Sequence, residues 1–250
     1  MTTADLDRQL ANARDYWLGW GAADRSDGAL TLYRSSVAHP QLNGVLRVSP
    51  HHSPQDAMAE AEDRLAGVPH LWWAGPDSRP DLADHLLAAG LTESGTVPIM
   101  SRDLTRPIQE TPPPGLRIHQ LTDLDPLSGW VHTYAPSFGV TPDQYDQVLQ
   151  VEHDRPDKPG ALVRFAAHWN GRLVGTSALF DAHGVAGIYV VTTQETHRRR
   201  GIGTALTAAA MREGRDRDLD TATLQASAAG VPVYQRLGFE TVATYRMFSG

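Results

Sequence analysis

Three consecutive arginines followed by a spaced pair of glycines, Arg198-Arg199-Arg200-Gly201-Ile202-Gly203-Thr204, stand where a β-branched apolar run over 185–193 (VAGIYVVTT) gives way to a helical pattern. That arrangement can bind a polyanion. The free N–H groups of a helix start, with the macrodipole behind them, amount to roughly half a positive charge. Glycines at 201 and 203 remove Cβ atoms that would keep a diphosphate from the backbone, so the amides can form a concave nest of donors. The arginine side chains add permanent charge. Other phosphate motifs fit less well. A P-loop needs GxxxxGK followed by Ser or Thr, and no lysine lies near; a dinucleotide fingerprint needs a third glycine where Leu206 stands. A solvated helix start explains the arginines but not the glycine pair.

Composition narrows the chemistry further. With no cysteine in 250 residues, disulfide frameworks, thiolate zinc sites and cysteine nucleophiles are excluded. No metal is expected either, because His51-His52 is an adjacent pair rather than helical i, i+4 ligand spacing. The 22 basic and 29 acidic residues give a net charge of −7, which disfavours a nucleic-acid partner. Most of the excess lies in 1–115, with nine basic and fifteen acidic residues against thirteen and fourteen in 116–250, so an anionic ligand sits more easily in the second part. Lys158 is the single lysine beside 21 arginines, a bias of the kind GC-rich codons produce. No stretch approaches the roughly 18 apolar residues of a membrane span, and the polar N-terminus has no segment of secretory type, so a cytoplasmic location without membrane contact is expected.

The elements that must position the arginine–glycine turn form a mixed α/β series. A proline-rich linker at 106–115, with Pro112, Pro113 and Pro114, separates a first unit, 1–105, from a second, 116–250. In the second unit, 116–121 reads as a strand, and 123–138 and 142–153 read as helices, the latter opening after Thr141. Strands over 161–168 and 173–180 flank Asn170-Gly171, a hairpin turn signal. Strand 185–193 then leads to a helix whose stripe is Ile202, Ala205, Leu206, Ala209 and Ala210. A strand at 221–226, a helix through Tyr234 stopped by Gly238, and a strand at 240–248 end the chain. The first unit closes in the same way, with 86–91 ending at a glycine before a strand over 95–100. Gly90 to Gly238 and Leu86 to Tyr234 are each 148 residues apart, about one domain, which suggests a duplicated unit.

Arg198-x-x-Gly201-x-Gly203 between strand and helix, followed by Leu224-Gln225-Ala226-Ser227 and Gly230-Val231-Pro232-Val233-Tyr234-Gln235-Arg236-Leu237-Gly238-Phe239, resembles the acyl-CoA site of the GNAT acetyltransferase superfamily. The resemblance covers about 135 residues of the second unit; residues 1–105 resemble a degenerate second copy without the RxxGxG turn. It implies an α/β (α+β) fold of two GNAT-like mixed-sheet domains and transfer of an acetyl group from acetyl-CoA to an amine by direct attack. By position, it implies that the Val191 N–H polarises the thioester carbonyl and that Thr193 pairs with the pantetheine arm. Backbone amides from Arg199 through Ile202 to Thr204, with the Arg198 and Arg200 side chains, would hold the pyrophosphate, and Ser227 would contact the pantetheine side. Tyr234 corresponds to the general acid; its counterpart Leu86 cannot donate a proton.

The general base stays open among Glu152, His153, Asp181 and His183. Trp72-Trp73 reads as core packing, or as substrate contact if the first unit faces the cleft. The acceptor class is a small-molecule amine or a peptide N-terminus. Three other readings stand beside the enzyme: a CoA-binding sensor or scaffold without transfer, a nucleic-acid binder using Arg198 to Arg200, and an N-terminal unit that recruits a partner protein. Nothing in the sequence fixes the oligomeric state.

Overall fold

A computed structural model describes residues 3–123 and 125–250. Met1 and Thr2, at the head of the stretch read for a leader, and Leu124, within the helix expected over 123–138, lie outside the described residues. The first half runs α1 (Thr3–Leu18), β1 (Asp24–Asp27), β2 (Leu30–Arg34), β3 (Asn43–Val48), α2 (Pro54–Arg64), β4 (Leu71–Ala74), α3 (Leu82–Ala88) and β5 (Thr92–Asp103). The second runs β6 (Leu116–Gln120), α4 (Leu127–Tyr134), α5 (Tyr145–His153), β7 (Leu162–Trp169), β8 (Arg172–Ala182), β9 (Val185–Thr193), α6 (Ile202–Asp216), β10 (Thr221–Gln225), α7 (Val231–Arg236) and β11 (Glu240–Ser249).

Local chemistry explains the boundaries. Asn170 (φ 51°) and Gly171 (φ 79°) both take the positive φ that a tight type I′ hairpin requires, and Trp169 pairs with Arg172 around them. The helix expected from 123 begins only at Leu127, because Pro126 disfavours helical backbone in the residue before it. It then tightens into a 3-10 turn, Ala135–Phe138, around Pro136. The next helix opens through a 3-10 turn, Pro142–Gln144, where the Thr141 N–H donates to the Gln144 side chain at 3.2 Å. Residues 106–113 are irregular and lie along α6, with Arg212 donating to the Glu110 carbonyl at 2.9 Å.

The described strands form one sheet in the order β1-β2-β3-β4-β11-β5-β10-β9-β8-β7-β6. Its two halves repeat one pattern. In each, an antiparallel pair (β2–β3, β8–β9) is followed by a parallel neighbour reached through a helix (β4, β10) and, after a second helix, by a terminal strand. Those terminal strands are exchanged: β11 of the second half lies against β4, and β5 of the first lies against β10. They pair antiparallel with each other, and the register obeys the 148-residue offset. Val97 faces Tyr245, its own counterpart; Thr96–Arg246 repeats as Pro98–Thr244, and Gly95–Met247 as Ile99–Ala243. The duplication legible in a few residues is thus written into the sheet as a pseudo-twofold centred on Val97 and Tyr245.

Because side chains alternate across a strand, each half of the sheet presents two apolar faces. One face, spanning both halves, packs Tyr33, Trp73, Tyr189 and Tyr245 against α1, α4 and α5. The other is divided between α6 with α7 in the second half and α2 with α3 in the first.

Candidate active site

Strands β9 and β10 part where the site begins. They pair only between Val185–Gly187 and Thr221–Thr223, while β9 continues to Thr193 and β10 to Gln225. A bulge re-aims β9 at this fork. Thr176 faces Thr192 and Ala178 faces Tyr189, so Val190 and Val191 together oppose Ser177. Val190 sits at φ 53°, a left-handed conformation costing a β-branched residue about 1–3 kcal/mol. The Thr176 hydroxyl holds it there by donating to the Val190 carbonyl at 2.9 Å. Thr192 therefore donates in the 2.9 Å contact between the two threonine hydroxyls, each having one proton to give. Nothing in a run of β-branched residues marks such a bulge beforehand.

Beyond Thr193 the chain makes a 3-10 turn, Glu195–His197, and enters the arginine–glycine segment. Arg199 (φ 60°) and Gly201 (φ 79°) are left-handed, whereas Arg198 (φ −62°, ψ 159°) is extended. α6 then starts at Ile202. The Ile202 side chain is in the core. All three arginines are exposed, and none is in an ion pair among the described residues. Arg198 Nε donates to the Thr193 carbonyl at 3.4 Å, and the Arg200 guanidinium lies 5.9 Å from the Trp169 ring centre. A Cβ at Gly203 would meet only Thr193 Oγ1, at 3.8 Å, whereas one at Gly201 would lie 3.2 Å from Pro113 Cγ of the linker. Three exposed arginines outside any ion pair among the described residues, the helix start at Ile202 and the room at Gly203 fit the pyrophosphate of acetyl-CoA.

Tyr234 is delivered to the same fork by α7. Ser227 prepares that helix: its Oγ accepts the Gly230 N–H at 3.2 Å and its carbonyl the Val231 N–H at 3.1 Å. Gly230 leaves room for the tyrosine ring, since a Cβ there would lie 2.8 Å from Tyr234 Cε2. Tyr234 is 8% exposed, and burial pushes its phenol up to about 12.

Val191, Ser227 and Tyr234 line a cavity of about 210 Å³, and the first half supplies much of the opposite wall: Tyr16 and Trp17 from α1, Gln41, Trp73 and Val97. Tyr16 stacks on Tyr189 with ring centres 3.6 Å apart, and Trp17 lies 5.2 Å from Trp73. The Trp17 indole N–H is buried and has no hydrogen-bond partner among the described residues. Adjacent strand positions divide the tryptophan pair, Trp73 facing the cavity and Trp72 the core beneath α2 and α3. α1 was not legible as a wall. Its Leu6, Leu10, Ala13 and Trp17 stripe could have been found by spacing alone.

Two anchors fix α1. Asn12, fully buried, donates to the carbonyls of Phe180, Ala182 and Val185 at 3.0–3.1 Å and accepts the Tyr189 hydroxyl at 2.7 Å. Arg155, paired with Asp157 at 2.6 Å, donates to the Tyr16 carbonyl at 2.9 Å and sits 4.7 Å from the Tyr16 ring centre. Gly19 clears the space that this guanidinium occupies.

The four base candidates lie outside the cavity. Glu152 is buried, accepting from Arg164 at 2.6 Å and from the Tyr134 hydroxyl at 3.1 Å. His153 is exposed beside Asp154 at 3.0 Å. Asp181 pairs with Arg217 at 3.4 Å and His183 with Asp15 at 2.8 Å, both near the β8–β9 turn, roughly 20 Å along β9 from Val191. No carboxylate or imidazole lines the cavity among the described residues. No group of three metal-ligating side chains occurs among them, and His52 lies 3.7 Å from Glu60. No described helix is long and apolar enough to cross a membrane.

Residues 127–239 match the model of the acetyltransferase (GNAT) family. The whole chain superposes on the GCN5-related N-acetyltransferase of Kribbella flavida with a TM-score of 0.71 at 18% identity, covering 96% of this chain and 95% of that one. It also superposes on a tandem GNAT protein from the clavulanic acid biosynthesis pathway, with a TM-score of 0.59 at 14% identity over 100% and 96% of the two chains. Over 127–239 the chain is thus similar to acetyltransferases of the GNAT family, and its fold is that of the tandem GNAT protein. In sequence it is 31% identical over 180 residues to the mycothiol acetyltransferase of Thermobispora bispora, 67% of this chain and 61% of that protein. The chain thus spans about three fifths of that relative's length.

Proposed function

We propose that this protein is a cytoplasmic N-acetyltransferase that moves an acetyl group from acetyl-CoA to the amine of a small molecule or a peptide N-terminus, by direct attack. The unit 116–250 is the catalytic copy; the unit 1–105, joined through the linker 106–115, is a degenerate copy that walls the cleft. The observation that carries this reading is the convergence on one fork of the Val190–Val191 bulge, the arginine–glycine turn and Tyr234. The degenerate copy lacks such a set. Where α6 opens on glycine, α2 opens on Ser53-Pro54 with Asp56 in its first turn, which removes a donor and adds a negative charge.

In this reading acetyl-CoA supplies the activated acyl group. The amides from Arg199 to Thr204, with Arg198 and Arg200, hold its pyrophosphate, and Thr193 and Ser227 flank the pantetheine arm. The Val191 N–H polarises the acyl carbonyl. The amine nitrogen bonds to the acyl carbon and gives a proton to solvent water, the carbon–sulfur bond breaks, and the sulfur leaves with its electron pair as a thiolate toward the Tyr234 hydroxyl. A small-molecule acceptor is supported by the mycothiol acetyltransferase relative.

Calorimetry with acetyl-CoA tests the reading. The wild type should bind, and Gly203→Glu, which puts a carboxylate into the room at the start of the helix 202–216, should weaken binding about 100-fold, about 2.7 kcal/mol. No binding by the wild type, or equal binding by the variant, overturns it. Binding without thiol release across an amine panel would instead favour a CoA sensor, the reading supported by the lack of a base in the cavity among the described residues.

A further inference from the structure

The cavity at the fork has an annex. A pocket of about 30 Å³ shares Tyr16, Trp17, Gln41, Phe138 and Val190 with the main cavity and continues away from Tyr234 and Ser227, toward Leu42, Val140 and Val148. Its walls are almost wholly carbon, and Val148, Tyr134 and Trp20 behind it are buried. The order of groups along the space is therefore the Tyr234 hydroxyl, the bulge at Val190 and Val191, and then the annex. An acyl carbonyl resting at the Val191 N–H, with its sulfur toward Tyr234, points its remaining substituent toward this annex.

We propose that the site accepts acyl groups one or two carbons longer than acetyl, propionyl and butyryl, with the additional carbons in the annex. This rests on the acyl-transfer reading given above. Volume decides the occupant: 30 Å³ has room for one or two methylene-sized groups and not for the body of an acceptor, which must also lead back to solvent. Polarity agrees, because an apolar recess favours each methylene it covers and offers little to a charged amine. The chemistry is unchanged. The amine nitrogen bonds to the acyl carbon, the carbon–sulfur bond breaks, the sulfur leaves as a thiolate and the nitrogen gives a proton to solvent water.

The experiment measures kcat/KM of the full chain with acetyl-, propionyl- and butyryl-CoA and one amine acceptor, for the wild type, Val148→Phe and Val148→Ala. The wild type should use propionyl-CoA within tenfold of acetyl-CoA. Filling the annex with Val148→Phe should lower the propionyl-to-acetyl ratio at least tenfold, and enlarging it with Val148→Ala should raise the butyryl-to-acetyl ratio. Turnover of acetyl-CoA with propionyl-CoA more than tenfold slower, or ratios that neither variant moves, overturns the annex assignment and leaves acetyl transfer standing. Turnover with none of the three overturns both.

Discussion

Held at 8% exposure and raised to about 12 by burial, the Tyr234 phenol stays protonated through any working pH. Against a thiol near 8.5, full proton transfer is uphill by about 5 kcal/mol, more than the roughly 2 kcal/mol an unperturbed phenol would face. Tyr234 is thus suited to stabilise the departing sulfur by donating a hydrogen bond. It should produce no descending limb in a pH–rate profile below about pH 11. Because no carboxylate or imidazole lines the cavity among the described residues, the ascending limb should follow the acceptor's own amine. Two acceptors of different amine pKa should give displaced profiles; a limb fixed near neutrality for both would reveal a protein base. Gly230→Ala should push on the Tyr234 ring and lower kcat about tenfold with little change in acetyl-CoA affinity, measured by steady-state kinetics and calorimetry. At this scale the arginine–glycine turn was legible because glycine and charge leave marks in sequence. The Val190 bulge was not, because its backbone is imposed by the Thr176 hydroxyl and the β8 register.

Among the elements, α1 matters most for the shape of the site, and Asn12 is what seats it. Asn12→Ala would strip two buried carbonyls and one half-buried carbonyl of a donor and the Tyr189 hydroxyl of its acceptor. Urea unfolding should show a loss of about 3 kcal/mol. A change under about 1 kcal/mol would mean that α1 is held by its apolar face alone. Helices and strands of the second half were readable from periodicity and turn residues, since each depends on neighbours close in sequence. What places Tyr16, Trp17 and Trp73 against Tyr234 is pairing across more than 150 residues, which no local window contains.

For the whole molecule the exchange of β5 and β11 is decisive. Each half contributes a central strand to the other's part of the sheet, so neither can complete its own. The chain should unfold in one cooperative transition, and residues 1–110 and 111–250 made separately should lack native amide dispersion. A separately folded 111–250 that binds acetyl-CoA would contradict this. The duplication was visible in sequence only as two short segments 148 residues apart, whereas the exchange of the terminal strands left no mark there. Net charge was similarly blunt: a chain at −7 overall presents three exposed arginines, none in an ion pair among the described residues, at one helix start. The most direct test of the whole account is thiol release from acetyl-CoA across a panel of amines, for the wild type and Tyr234→Phe. The wild type should release thiol only when an accepted amine is present, and the variant should lose about 100-fold in kcat while binding acetyl-CoA within about threefold of the wild type. Amine-dependent turnover that Tyr234→Phe leaves unchanged, or no amine-dependent release at all, would contradict it.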